Sequence, residues 1–326
     1  MGDAFGLVYC LAKEEDYEQI CTSKDYNGLD YLPAFFHRWL KEPGRIVLLA
    51  WMKDRVALES ALLVDGGQTV VFQGRRVVSD LRGSGIAGVL HSHVTSYIRS
   101  QYPEVCAVRM SRGDHPSERI LSKYRLVAKE GLLSGLRTCL SLPLQAIVSV
   151  CCEAADLSAF ITELRSKTHS SCRGAVTLSQ HQAETLILSD HVISNLLPGK
   201  TIINDWEPLK PVEANLEVLR RRELTFIADH ESEPSALSLG TPPYAVPYRH
   251  DALRVNINIF GHNLVSVCAV FLAQLEALQP KVTGFLILQT YLNPAVWEGF
   301  RQFCQNNSRV SFLRDYWEDV ILESDL

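Results

Sequence analysis

Two glycines separated by one residue, in the run Arg82-Gly83-Ser84-Gly85-Ile86-Ala87, end a strand-like stretch and open an amphipathic helix. Glycine allows backbone conformations and close approaches that a Cβ forbids. The helix start beyond it offers unpaired N–H groups and a partial positive charge, which suit a pyrophosphate. Gly83, Gly85 and Gly88 nominally satisfy the dinucleotide fingerprint as well, but that motif follows the first strand of a βαβ unit. Here the turn follows a meander of three strands, so the context argues against a dinucleotide. The second chemical group is Glu59, which on a strand shares a face with Ala57, Ala61 and Leu63. A carboxylate among such neighbours needs a function or a partner, and Arg75 or Arg76 on the next strand could be that partner.

The elements that must position these groups alternate. Strands are expected at 7–12, 46–52, 56–64, 69–78, 105–110 and 132–140, with helical stretches at 14–20, 32–40, from 86 onward, and from 116 onward. The helix from 86 carries Ile86, Val89, Leu90, Val94, Tyr97 and Ile98 on one stripe. Residues 141–200 mix helix and loop. From 201 the same order of elements returns, with a long amphipathic helix at 264–278, which predicts a second copy of the first topology. The equivalent turn in that copy, Gly261-His262-Asn263, lacks the paired glycines and the arginine, so no pyrophosphate is expected there. The predicted organisation is a catalytic domain at 1–140, a partly helical connection at 141–200 and a structural domain at 201–326.

The run from Arg76 to Ala87 resembles motif A of the GNAT acetyltransferase superfamily, Gln/Arg-x-x-Gly-x-Gly/Ala, although Asp80 stands at the first position. A narrower resemblance is carried by Gly28-Leu29-Asp30-Tyr31-Leu32-Pro33, Trp39-Leu40, Ala57-Leu58-Glu59-Ser60, Lys123-Tyr124-Arg125-Leu126, Thr201-Ile202-Ile203-Asn204-Asp205-Trp206-Glu207-Pro208 and the ending Ile321-Leu322-Glu323-Ser324-Asp325-Leu326. These are similar to the vertebrate histidine N-acetyltransferase family from about residue 5 onward. The fold this implies is α/β: an N-terminal GNAT domain, a mixed sheet flanked by helices, followed by a degenerate GNAT-like domain. The activity it implies is acetylation of the α-amino group of free L-histidine by acetyl-CoA, with direct attack on the thioester.

By the same resemblance, Val77, Val78, Arg82, Gly83, Ser84, Gly85, Ile86 and Ala87 hold acetyl-CoA, and the backbone at Val77 or Val78 donates to the oxyanion. Glu59 becomes the candidate proton acceptor or ammonium anchor. Gln73 occupies the position where many relatives carry a catalytic glutamate, and an amide cannot serve as a base. Aligning Arg125-Leu126 with the superfamily's Gly-Phe puts Leu121 in the place of its usual tyrosine acid. Tyr124, about 300° further round an ideal helix, is the substitute candidate, with core packing as its alternative. Asp30 and Tyr31 could meet an ammonium or imidazole, and Arg38 or Arg75 a carboxylate. Helix packing is the plainer role for Phe35, Phe36 and Trp39. His37, His91 and His93 read as surface or capping residues, without a metal.

The bulk properties narrow the setting. A length of 326 residues accommodates two cores, and a net charge of −5 gives no reason to expect nucleic acid or an anionic membrane. Nine scattered cysteines with no C-x-x-C pair suggest reduced thiols. No secretory signal or apolar run long enough for a bilayer is apparent, so a cytoplasmic location is expected. The rival functions are a protein lysine or N-terminal acetyltransferase and a catalytically weak CoA-binding protein.

Overall fold

Residues 6–21, 28–112, 118–127, 145–168, 174–305 and 309–326 are described by the computed structural model. The chain divides into two units, one holding residues 1–111, 246–250 and 323–326, the other 112–245 and 251–322. The predicted boundary at 140 and the strand at 132–140 lie outside the described residues. The stretch 145–200 falls within the second unit.

In the first unit the elements are β1 (Val8–Leu11), α1 (Tyr17–Cys21), α2 (Leu32–Lys41), β2 (Arg45–Met52), β3 (Arg55–Val64), β4 (Thr69–Val77), α3 (Ile86–Gln101) and β5 (Ala107–Arg112). The sheet runs β1-β2-β3-β4-β5. The first three pairings are antiparallel, and β4 and β5 are parallel. Asp30 opens α2 by accepting the Leu32 N–H at 2.9 Å, and Pro33 sits in its first turn. Leu32, Phe35, Phe36 and Trp39, at helical spacing, are all buried. On α3 the same rule buries Ile86, Leu90, Val94 and Ile98, and the helix packs on β3 and β4. Buried Arg109 on β5 ties the chain's end into this unit. Its Nη2 donates to Asp65 at 2.7 Å and its Nε to Glu323 at 2.5 Å, while the Leu326 N–H donates to the Cys106 carbonyl at 2.9 Å.

The second unit begins with α4 (Glu118–Leu121), β6 (Arg125–Leu126), β7 (Gln145–Glu153), α5 (Leu157–Lys167), β8 (Val176–Thr177), α6 (Gln180–Ile187) and α7 (Asp190–Asn195). A hairpin, β9 (Ile202–Asn204) and β10 (Glu207–Leu209), leads to α8 (Glu213–Arg220). Then come β11 (Thr225–Ala228), β12 (Ala236–Gly240), β13 (Tyr244–Ala245), β14 (Ala252–Gly261), α9 (Leu264–Leu278), β15 (Phe285–Leu292), α10 (Pro294–Cys304) and β16 (Ser311–Asp325), whose residues from Glu323 on are counted with the first unit. The succession β11-β12-β14-α9-β15-α10 repeats β2-β3-β4-α3-β5-α4, as the order of elements predicts. Val255, Ile257 and Ile259 on one face of β14 join α5, α9 and α10 in the core. The other face carries Arg254, Asn256 and Asn258, buried in polar company: Asn256 Nδ2 donates to Asp205 and to the Tyr244 hydroxyl, and Arg254 Nη2 to the Tyr291 hydroxyl.

One sequence expectation needs correcting. The segment Leu264–Lys281 is by length and composition long and apolar enough to cross a membrane, with a mean hydropathy of 1.2. Its Val267, Val270, Phe271, Leu275 and Leu278 are buried in the core of the second unit, so its apolar character serves packing here.

Candidate active site

The glycine loop has the geometry its composition demands. Gly83 and Gly85 adopt φ +78° and +93°, and a Cβ built at either would meet no atom within 4 Å, so the space above them is open. Gly85 is the N-cap of α3 and supplies no side-chain cap. Among the described residues, no backbone carbonyl accepts from the N–H groups of Gly83, Gly85, Ile86 or Ala87. The loop is held from behind, where Arg82 Nε donates to the Val77 carbonyl at 2.9 Å and the Ser84 hydroxyl to the Leu81 carbonyl at 2.5 Å. Four N–H groups at and before a helix N-terminus are thus without a backbone acceptor, next to the open space at Gly83 and Gly85, an arrangement suited to an anion.

Beside the loop, β4 parts from β5. Their parallel register runs only from Thr69↔Ala107 to Phe72↔Met110, although β4 continues to Val77. At the same point β4 bulges against β3: the register passes from Ser60↔Gln73 to Leu58↔Arg76, so that Gly74 and Arg75 together face Glu59. Gly74 takes φ +71° there. The bulge redirects the strand and leaves the β5 side of residues 74–77 without a strand partner among the described residues. A slender ligand can enter such a gap and pair with the strand's backbone.

Strand alternation then separates the polar side chains into two groups. On the α2 face, Arg45 is buried, donating through Nε to Glu42 and through Nη1 to the Ser60 hydroxyl (2.9 Å) and Gln73 Oε1 (3.1 Å), with Trp39 beneath it. Arg76 faces the same way and grips Asp30 with two hydrogen bonds, 3.0 and 3.2 Å long, over the Tyr31 ring. Burial works against the Arg76 charge, but Tyr31 and the Asp30 carboxylate outweigh it and hold its pKa above the ordinary value. On the α3 face, Glu59 is 1% exposed. It accepts from Arg75 Nε at 2.9 Å, and His91 Nδ1 lies 3.1 and 3.2 Å from its two oxygens.

Residues 171–293 match a sequence family described as histidine N-acetyltransferase, C-terminal. A histidine N-acetyltransferase of Scomber australasicus is 34% identical, with 98% of this chain and 94% of that one aligned. The probable N-acetyltransferase 16 of Homo sapiens is 33% identical, covering 99% and 87%. The chain belongs to the histidine N-acetyltransferase family. Its fold is also that of a tandem GNAT protein from the clavulanic acid biosynthesis pathway, with a TM-score of 0.52 over 98% of each chain at 12% identity.

In this family member the predicted residues do not form one cluster. Val77, Val78 and the loop from Arg82 to Ala87 adjoin the parted strand, as the motif requires. Asp30, Tyr31 and Arg38 lie on α2 or just before it. Asp30 is committed to Arg76, and the Arg38 guanidinium stacks 3.9 Å from the centre of the Phe35 ring. Phe35 and Trp39 pack inside the unit, the plainer of their two readings. Glu59 and Arg75 are each other's partner on the opposite face, the ion pair foreseen as the alternative to a free base. Tyr124 belongs to the second unit and lies in the turn after α4, which ends at Leu121, so the helical angle assumed for it does not apply.

His91 was missed as a site residue. It occupies the α3 position next to buried Leu90 and points under the helix toward Glu59, so it is no mere surface or capping group. Arg76 was missed because its direction depends on the bulge. Gly74 inside a strand was the available signal, since strand glycines often mark bulges.

The second unit shows what closes such a site. There β14 and β15 stay paired over seven registers, Ala252↔Phe285 to Asn258↔Tyr291, with no bulge between β14 and β12. Asn263 caps α9 by accepting from Val265 and Ser266 N–H at 2.9 and 3.2 Å, which occupies donors that an anion would need.

Proposed function

We propose that this protein acetylates the α-amino group of free L-histidine with acetyl-CoA, by direct attack of the amine on the thioester. The observation that carries the reading is the open glycine loop beside the parted β4. The loop's N–H groups suit the pyrophosphate of CoA, and the edge of β4 beyond its last pair with β5 suits the amides of its pantetheine arm. The acetyl carbonyl then meets the backbone at Val77 or Val78, whose N–H stabilises the negative charge that develops on oxygen. The names of the relatives support histidine as the acceptor, and the GNAT-like fold supports acetyl-CoA as the donor.

The acceptor docks on the α2 face, beside Tyr31, Arg38 and the Asp30–Arg76 pair. Arg38 offers charge to the free carboxylate, and the Tyr31 ring offers a flat surface to the imidazole. The ammonium loses its proton to water on that face. The neutral amine attacks the carbonyl carbon, the proton that the nitrogen still has to lose passes through water to the sulfur, the carbon–sulfur bond breaks, and CoA leaves as the thiol. The second unit, with its slot zipped and its helix capped, binds no CoA.

Steady-state turnover with L-histidine, L-histidinamide, other free amino acids and a lysine peptide tests the acceptor. L-Histidine is expected to lead. Histidinamide should lose at least tenfold in kcat/KM, because a cation built to pair a carboxylate is left unpaired. A peptide that outperforms L-histidine would move the protein to the protein-acetylating class.

A further inference from the structure

The bulge that opens β4 is gripped from both sides. From the α2 face, Trp39 lies so close to Gly74 that a Cβ there would stand 2.5 Å from its Cη2. From the α3 face, Glu59 joins three elements: its own strand β3, Arg75 in the bulge and His91 on the second turn of α3. The Phe72 ring, the last β4 residue in register with β5, meets the His91 ring edge-on at 4.7 Å. Glu59 is thus tied at once to the strand that parts and to the helix whose N-terminus carries the loop.

We infer that Glu59, with Arg75 and His91, is a positioning device that sets the distance between the bulged β4 and the N-terminus of α3, and that it takes no proton from the substrate. The inference rests on the acetyl-CoA reading above and refines it. Three features support it. The carboxylate is 1% exposed, so an amine could reach it only by displacing α3 or β4. Both of its oxygens are engaged, by Arg75 and His91. It also lies across the sheet from Asp30, Tyr31 and Arg38. A carboxylate can only accept hydrogen bonds, so the contact orients His91 with its proton on Nδ1. If the spacing between β4 and α3 drifts, the pantetheine arm and the pyrophosphate cannot both be satisfied, and acetyl-CoA affinity falls before chemistry does.

The experiment compares wild type with Glu59→Gln, His91→Leu and His91→Gln, using calorimetry for acetyl-CoA and pH–rate profiles with L-histidine. Wild-type binding of acetyl-CoA is measured first, and its absence would strike the functional proposal itself. Glu59→Gln and His91→Leu are expected to raise the Kd and KM for acetyl-CoA at least fivefold. At saturating acetyl-CoA, kcat should stay within about threefold of wild type and its pH profile should keep its shape. His91→Gln, whose amide can still donate to Glu59, should recover most of the lost affinity, which also separates positioning from general loss of fold. A larger fall in kcat at saturation, or a changed pH profile, would make Glu59 the proton acceptor. Unchanged affinity in all three variants, or no recovery with glutamine, would remove the device altogether.

Discussion

Gly74→Ala adds one methyl group at the point on which the site depends. At φ +71° an L-residue is strained by about 1–2 kcal/mol. The new Cβ would also stand 2.5 and 2.9 Å from Cη2 and Cζ3 of Trp39. That ring has no easy retreat, because it is fully buried and the Arg45 guanidinium lies 4.9 Å from its centre. Overpacking of this kind typically costs about 1–3 kcal/mol. The two together predict a loss of about 2–5 kcal/mol, a large share of the roughly 5–15 kcal/mol that holds a domain folded. Relief of the clash would flatten the bulge, so acetyl-CoA affinity should fall as well. Denaturant unfolding followed by Trp fluorescence, with calorimetry for acetyl-CoA, measures both. Gly88→Ala is the control: its Cβ meets nothing within 4 Å, and in the helix alanine should add about 0.5–1 kcal/mol. Should Gly74→Ala match wild type in stability and affinity, the bulge is not what opens the strand.

Gly85→Val should abolish acetyl-CoA binding while circular dichroism still shows a folded protein, because the space its side chain enters is ligand space and not core; the positive φ of +93° should cost about 1–2 kcal/mol in unfolding. Arg109→Met strands the Asp65 and Glu323 carboxylates beside an apolar group, and breaking such a buried arrangement should cost about 3–5 kcal/mol by denaturant titration. Burial, with the nearby Asp30 and Glu18 charges, pushes the Cys21 thiol up to about 12, and burial with the Cys151, Asp156 and Glu153 charges does the same for Cys152. The thiolate is the reactive form, so both stay protonated and inert at pH 8. Iodoacetamide mapping by mass spectrometry should therefore find exposed Cys10 and Cys106 labelled long before them.

The order of elements was legible because each relies on local rules: Leu32, Phe35, Phe36 and Trp39 at helical spacing, or glycines at 83 and 85 where strand gives way to helix. The repeat was legible for the same reason, although the two halves share no obvious residues. What stayed hidden depends on register. A single extra residue at Gly74 decides that Arg75 faces Glu59 and Arg76 faces Asp30, and no count of alternating positions foresees a bulge. The partner of Glu59 on α3 was equally hidden, since a histidine beside the apolar stripe reads as a surface residue until the helix is docked. The closure of the second unit's slot was half legible. The missing glycines were visible, whereas three additional β14–β15 pairs and the Asn263 cap exist only in the folded chain.

The most direct test of the account is to incubate the purified protein with acetyl-CoA and L-histidine and to identify the product by mass spectrometry. The account predicts Nα-acetyl-L-histidine and free CoA in equal amounts from wild type, and neither above background from Gly85→Val. If wild type forms no acetylhistidine, or if Gly85→Val forms it at the wild-type rate, the assignment of this loop as the acetyl-CoA site of a histidine N-acetyltransferase is contradicted.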